Sequence, residues 1–481
     1  MIEMHKPSTN LANWLKKHKR RFMFLPAWIL GILLAFIQIA PLSADESSAS
    51  FQRLMHNIQR WTTQPRLMGS AYIEYVRAGL IAEIEDMGLT PELQDFVYTL
   101  GDVMAARALL GQHWVYGGIH YTRMHSAFFT DGPIHMQNIL VRFESNVSDR
   151  VILFVSHYDS VLGSPGAGDA MLPIAAMLEA MRVLAGRDDL QANIYFLLTD
   201  GEEYGAFGAL EFIRANEELG RRVDMVVNLE AIGNAGVPVL FETSPQPATM
   251  VRYFGASVPR PVGFSLGAIA YERTGIGWTD FTFFLQYGWQ GVNMALTRGA
   301  RYYHTAQDTY ENLCRNAAYN YMRTVVAMAE HAADNGIDAL QGRAANAVFF
   351  PFLPGNLVVI SYGTAYVLGG AICALAVTYM IWQLKHAKQD DKQQDKKQSK
   401  KPRNLLMIVL TLLAVASLVF LHAASYLLWI PLLFLLVVDL LKGFRYAYIA
   451  AKAVSIIVML MLWVPVVFLS SALFMGLTFA I

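Results

Sequence analysis

Two long apolar stretches set the outer limits on what this chain can become. FMFLPAWILGILLAFIQIAPL fills residues 22–42, and FLPGNLVVISYGTAYVLGGAICALAVTYMIWQL fills 352–384, with further apolar runs through 404–481. A segment crossing hydrocarbon must satisfy every backbone polar group internally, so runs near the roughly 20 residues required are expected as transmembrane helices. The C-terminal region 404–481 has room for three or four such spans, Pro465 kinking or dividing the last of them. Between the first two runs, residues 45–350 are expected to form one large water-exposed domain.

Charge orients these pieces. The basic N-terminus 1–21 ends in Lys16, Lys17, His18, Lys19, Arg20 and Arg21, and the lysine-rich segment 385–403 follows the second run. Positive charge collects on the cytoplasmic side, so both basic segments are expected there and the 45–350 domain on the opposite side. The rival for 22–42 is a cleaved signal peptide, but its apolar core would be shorter, roughly 7–15 residues. Lysines and arginines number 38 against 38 aspartates and glutamates, so the balance argues for no nucleic-acid partner. The cysteines, Cys314 and Cys373, lie in such different surroundings that neither a disulfide framework nor a thiolate metal site is expected. Asn146-Val147-Ser148 fits a glycosylation acceptor, meaningful only in a eukaryotic secretory compartment.

Inside the domain, short β-branched or aromatic runs at 138–143, 151–156, 193–199, 224–230, 237–241 and 291–296 are expected as strands. Helical patterns at 171–186, 206–220 and 305–336 alternate with them. The expectation is an α/β domain with a mostly parallel central sheet and helices on both faces, in addition to the transmembrane α-helices. Ligands of such folds bind beyond the carboxyl ends of the strands. The chemically capable residues stand there: His157 and Asp159 in HYDS, Asp169 in PGAGDA, Glu202 and Glu203 in DGEE, Glu230 in NLEAIG, and His304 in YYHTAQDT.

Each of these has an ordinary explanation when taken alone. A histidine after a strand is commonly structural, Asp169 could cap a helix, Glu203 could complement a helix dipole, and Glu230 could end a strand in a salt bridge. Collected at one end of one sheet, however, the carboxylates repel one another unless a cation neutralises them. Two zinc ions balance Asp169, Glu203, Glu230 and one hydroxide, and adjacent loop side chains diverge, leaving Glu202 free to address water while Glu203 binds metal.

The ordered series HYDS, PGAGDA, DGEE, NLEAIG and YYHTAQDT resembles the co-catalytic zinc exopeptidase family of bacterial leucyl aminopeptidase, aminopeptidase Y and glutamate carboxypeptidase II. Its membrane-embedded branch, the endoplasmic reticulum metallopeptidase and vacuolar membrane protease, is the nearest likeness. The resemblance covers residues 50–345, QPRLMGS and AYIEYVRAGLIAEIEDMGL included. It implies two zinc ions per chain: His157 and Glu230 on one, Glu203 and His304 on the other, Asp169 bridging. Asp159 would orient His157, and Glu202 would be the general base activating a metal-bridging hydroxide for peptide-bond hydrolysis. Either Tyr302 or Tyr303 could assist the oxyanion, although a packed aromatic is an equal reading.

The resemblance thus implies a membrane zinc metallopeptidase acting on peptides, an aminopeptidase by preference. It is expected as a multi-pass protein of a bacterial inner membrane with a periplasmic catalytic domain; an organelle membrane with a lumenal domain is the alternative. One departure is Ala170, where the family commonly has a second acidic residue, which removes a possible hydrogen-bond partner of the metal set. A glutaminyl cyclase-like enzyme chiefly needs one zinc, and a non-catalytic scaffold relative would have lost ligands; the intact five-ligand set disfavours both. Asp280 and Arg273 are candidates for substrate contact, with a loop salt bridge or helix cap as the plainer roles.

Overall fold

A computed structural model of the chain describes residues 40–99, 101–103, 132–274, 277–342, 344–353, 355–367 and 378. The N-terminus 1–21, almost all of 22–42, the loop 385–403 and the region 404–481 lie outside these residues. Among the described residues no helix is long and apolar enough to cross a membrane. The chain divides into two units: Ile37–Ser361 with Ser471–Ile481, and Met1–Phe36 with Tyr362–Ser470. The first holds every candidate metal-site residue.

Its centre is a seven-stranded sheet of β1 (Glu92–Thr99), β2 (Pro133–Phe143), β3 (Val151–His157), β4 (Asn193–Thr199), β5 (Val223–Ala231), β6 (Ala235–Thr243) and β7 (Gly291–Arg298). The spatial order is β1-β2-β4-β3-β5-β7-β6. The inner strands β4, β3, β5 and β7 run parallel, while β1, β2 and β6 pair antiparallel at the edges. The sheet is therefore mixed around a parallel core. Strand β1 escapes the sequence reading because its residues, ELQDFVYT, are mostly exposed and show no apolar alternation.

Period-two alternation assigns the two faces. Ile152 and Phe154 of β3 and Met225, Val227 and Leu229 of β5 enter one core with helices α1 (Ala49–Trp61), α2 (Ala71–Glu85), α3 (Leu172–Leu184), α5 (Ala248–Ser257) and α8 (Arg315–Asn335). Val151, Leu153, Val155 and Val226 face the other core, closed by α4 (Phe207–Ala215) and α7 (Asp280–Gln286). Helix α6 (Ser265–Thr274) lies against β6. Both helices of the N-terminal pair are started by serine caps: Ser48 accepts from the Phe51 N–H and Ser70 from the Ile73 N–H.

Two boundaries differ from expectation. The helix sought across 305–336 begins only at Arg315, because residues 305–314 form turns anchored where the Cys314 N–H meets the Asn234 carbonyl. An antiparallel hairpin, β8 (Ala347–Leu353) and β9 (Asn356–Ser361), takes up the first residues of the stretch 352–384 expected as a second span. Gly355, at φ +80°, supplies its turn, and the β-branched run Val358-Val359-Ile360 suits a strand as well as a membrane helix.

Candidate metal centre

Strand geometry brings the candidate residues to one edge of the sheet. His157 ends β3, Glu202 and Glu203 lie in the turn after β4, Glu230 is near the end of β5, and His304 follows β7. His157, Asp159, Asp169, Glu202, Glu203 and Glu230 are all buried, and His304 is partly buried. Asp169 sits between the two imidazoles: its Oδ1 is 3.4 Å from His157 Nε2 and its Oδ2 3.1 Å from His304 Nε2. Each histidine has its own glutamate, with Glu230 Oε2 at 3.6 Å from His157 Nε2 and Glu203 Oε2 at 3.0 Å from His304 Nε2. The groups His157/Asp169/Glu230 and Asp169/Glu203/His304 each converge closely enough to hold one ion.

The donor set fits zinc, which takes imidazole nitrogens and carboxylate oxygens. Tetrahedral bonds of ~2.0–2.2 Å place neighbouring ligand atoms ~3.3–3.6 Å apart. The separations of 3.4 and 3.6 Å around His157 match that spacing; the 3.0 and 3.1 Å around His304 are slightly short of it. Charge argues the same way. Five buried carboxyl groups, Asp159, Asp169, Glu202, Glu203 and Glu230, meet two imidazoles, so with every carboxyl ionised even two protonated histidines would leave an excess of three negative charges.

The proton affinities record this crowding. Burial pushes Glu202 well above the carboxylate range; His157 opposes the rise, and Glu230, Glu203 and Asp280 add to it. Burial likewise raises Glu203 to about 7. Burial works against charge on His157, yet Glu202, Asp159, Asp169 and Glu230 together raise its pKa well above the usual imidazole value. Asp169 is held low: hydrogen bonds from His157 and His304 outweigh the burial that would raise it.

Asp159 has a wider role than orienting His157. Its Oδ1 is 3.4 Å from His157 Nδ1, and its two oxygens accept the backbone N–H groups of Glu202 and Glu203, each at 3.1 Å. It therefore ties the end of β3 to the turn after β4. Glu202 Oε2 stands 4.0 Å from His157 Nε2. Tyr303 stacks on His304 with ring centroids 3.7 Å apart, whereas the Tyr302 hydroxyl accepts from Arg301. Asp280 is fully buried at the first position of α7 and accepts from the Thr199 hydroxyl; it is not the cap, and among the described residues it forms no salt bridge. Thr279 is the cap. The side chain of Arg273 lies outside the described residues.

Two residues that hold Asp169 in place carried no weight in the sequence reading. Arg66, fully buried, donates from Nε to the Tyr158 carbonyl and from its terminal nitrogens to the carbonyls of Pro165 and Gly166. Asp308 accepts the N–H of Gly168 at 2.9 Å and of Asp169 at 3.1 Å. The loop between them has Gly166 in the left-handed region at φ +66°, and the Asp169–Ala170 peptide is cis. Both anchors stand inside quoted motifs, QPRLMGS and YYHTAQDT, but a lone arginine or aspartate gives no periodic signal.

Residues 138–329 match the model of peptidase family M28. Over 241 residues the chain is 29% identical to endoplasmic reticulum metallopeptidase 1 of Mus musculus, covering 49% of this chain and 26% of that protein. Over 259 residues it is 26% identical to the vacuolar membrane protease of Candida dubliniensis, covering 51% and 27% respectively. The chain thus spans under a third of the length of these curated relatives. Among solved structures it is similar to BSAP, a zinc aminopeptidase from Bacillus subtilis, at 15% identity and a TM-score of 0.44, covering 60% of this chain and 96% of that one.

Proposed function

We propose that this chain, whose residues 138–329 match the model of peptidase family M28, is a membrane-anchored zinc aminopeptidase. The observation that carries the reading is Asp169 standing between two histidines, each with its own glutamate, while Glu202 lies beside them and outside both groups. His157 and Glu230 would hold one zinc, Glu203 and His304 the other, and Asp169 would be shared. Zinc bound there supplies a polarising charge for a scissile carbonyl and lowers the pKa of a coordinated water.

The protein's own groups do the remaining work. His157 Nδ1 meets the Asp159 backbone carbonyl at 3.2 Å, with the Asp159 carboxylate at 3.4 Å, which keeps Nε2 turned into the site and fixes the tautomer that can ligate. Glu202 stands beside the two groups without belonging to either, 4.0 Å from His157 Nε2: its carboxylate takes a proton from the attacking water and returns it to the departing amine. Burial of the whole set limits competing water, which strengthens each of these interactions. Anchoring rests on the apolar runs at 22–42 and 404–481, and on the membrane relatives. The preference for free amino ends rests on the motif resemblance. A periplasmic placement of the domain follows from the basic clusters at 16–21 and 385–403 if the host is bacterial.

The test is Glu202→Gln in the full chain, assayed on matched unblocked and N-acetylated peptides with zinc content measured in parallel. Turnover should fall ~10²–10⁴-fold with zinc retained, and the wild type should cleave the unblocked peptides alone. Undiminished turnover in the variant removes Glu202 from the mechanism, and cleavage of acetylated peptides removes the aminopeptidase assignment.

A further inference from the structure

Behind Glu230 the sheet carries a line of buried amides that the peptidase mechanism does not use. Met225, Val227 and Leu229 point into one core, so alternation sends Asn228 and Glu230 to the opposite face, the side of α7. Asn293 of β7 sits directly beside Asn228 in the parallel register, on the same face. Across the antiparallel pair with β6, Asn293 meets Glu242. That last pairing depends on a register break: Leu240 pairs with Met294 and Glu242 with Asn293, leaving Phe241 as the extra residue. A bulge of this kind re-aims a side chain, and here it delivers a carboxylate to a buried amide. Asn228 and Asn293 are fully buried and Glu242 is nearly so.

The hydrogen bonds run outward from Asn228 to the two carboxylates. Asn293 Nδ2 donates to Glu242 Oε2 at 2.9 Å and to the Thr279 hydroxyl at 3.0 Å. That leaves Asn293 Oδ1 to accept from Asn228 Nδ2 at 3.1 Å, and the same Nδ2 donates to Glu230 Oε1, also at 3.1 Å. Both glutamates require a donor, and this requirement fixes the orientation of both amides. Asn228 Oδ1 is left buried without a hydrogen bond among the described residues, its Nδ2 serving both Glu230 and Asn293. With Oε1 of Glu230 engaged from behind, Oε2 is the oxygen turned toward His157.

We infer that Glu242, Asn293 and Asn228 form a positioning chain that sets the ligand geometry of Glu230, so that Glu242, which is no metal ligand, governs how tightly the His157 site holds zinc. None of these hydrogen bonds reaches Glu203 or His304, so the second site is linked to the chain through the shared Asp169. The inference rests on the zinc assignment above. Partners that orient ligating carboxylates typically contribute ~10–100-fold to metal affinity. Thr279 extends the same network to the start of α7, whose Asp280 meets Thr199 at the end of β4.

The experiment is a zinc titration of the full chain against a competing chelator, with Asn293→Leu and the double variant Asn293→Leu/Glu242→Leu. Leucine shares the branched shape of asparagine, and the double variant leaves no buried carboxylate stranded, so it keeps the fold where the single variant is poorly behaved. Two zinc ions in the wild type, one of them bound ~10–100-fold more weakly in both variants with the other weakened less, is the expected result. Wild-type affinities in both variants overturn the positioning role. So does weakening in the single variant that the double variant restores, which would mark Glu242 as merely needing a partner. A wild-type chain that binds no zinc instead removes the metal assignment on which the inference stands.

Discussion

Replacing Gly166 with alanine probes the loop that presents Asp169. Gly166 lies at φ +66°, and an added Cβ would stand 2.2 Å from the Asp169 carbonyl oxygen, 2.8 Å from Arg66 Nη2 and 2.9 Å from Ser160 Cβ. The left-handed conformation costs an alanine ~1–2 kcal/mol, of which ~0.4–1 kcal/mol is recovered through a less flexible unfolded chain. The contacts add ~1–3 kcal/mol, because the nearest atom belongs to backbone and cannot swing aside. Gly163 is the internal control: at φ +85° it carries the same conformational demand, but a Cβ there meets nothing within 4 Å. Denaturant unfolding should show a loss of about 1 kcal/mol for Gly163→Ala and about 2–4 kcal/mol for Gly166→Ala. Zinc content should fall in the second alone, since relief of the clash displaces Asp169. Equal losses with equal zinc would refute the claim that close packing at Gly166 positions the shared aspartate.

Zinc affinity at the His304 site should rise with pH. Without the ion, burial holds the Glu203 carboxyl at about 7, and Glu203 and Asp169 lift His304 to about 10 against its burial. Binding displaces roughly two protons below pH 7 and roughly one above it; chelator competition at pH 6, 7 and 8 should show the rise, and a flat profile contradicts it. Arg77→Met strips the fully buried Asp200 of its cation, now 2.7 Å away, and should cost ~3–5 kcal/mol in denaturant melts. Adding Asp200→Asn should recover most of that loss, and no recovery would place the cost elsewhere. If the runs at 22–42 and 404–481 are membrane spans, the full chain should stay in the membrane pellet after an alkaline carbonate wash; release into the supernatant ends that reading.

Legibility of the fold tracked burial. Strands β3, β4 and β5, buried along nearly their whole length, announce themselves as apolar runs. Strand β1 is an exposed edge whose only demand is backbone pairing with β2, which leaves no trace in side-chain pattern. The hairpin β8–β9 was hidden for the opposite reason, since apolar β-branched residues satisfy a strand and a membrane helix alike. Of the site, His157, Asp169, Glu202, Glu203, Glu230 and His304 were legible because the ends of parallel strands are where ligands gather. Arg66 and Asp308 act through backbone groups of a loop distant in sequence, so no local spacing points to them.

The order of chemically capable residues along the chain, and the strand–helix alternation that carries them to one edge, are properties of the sequence alone. They follow from periodicity and residue chemistry, which are local. Which oxygen of Asp169 faces which imidazole, why Gly166 admits no Cβ, and how a bulge at Phe241 aligns Glu242 with Asn293 were decided by tertiary structure. Apart from the local approach of Gly166 to the Asp169 carbonyl, these contacts join segments from a dozen to more than a hundred residues apart, and such contacts exist only once the sheet register and both cores have formed.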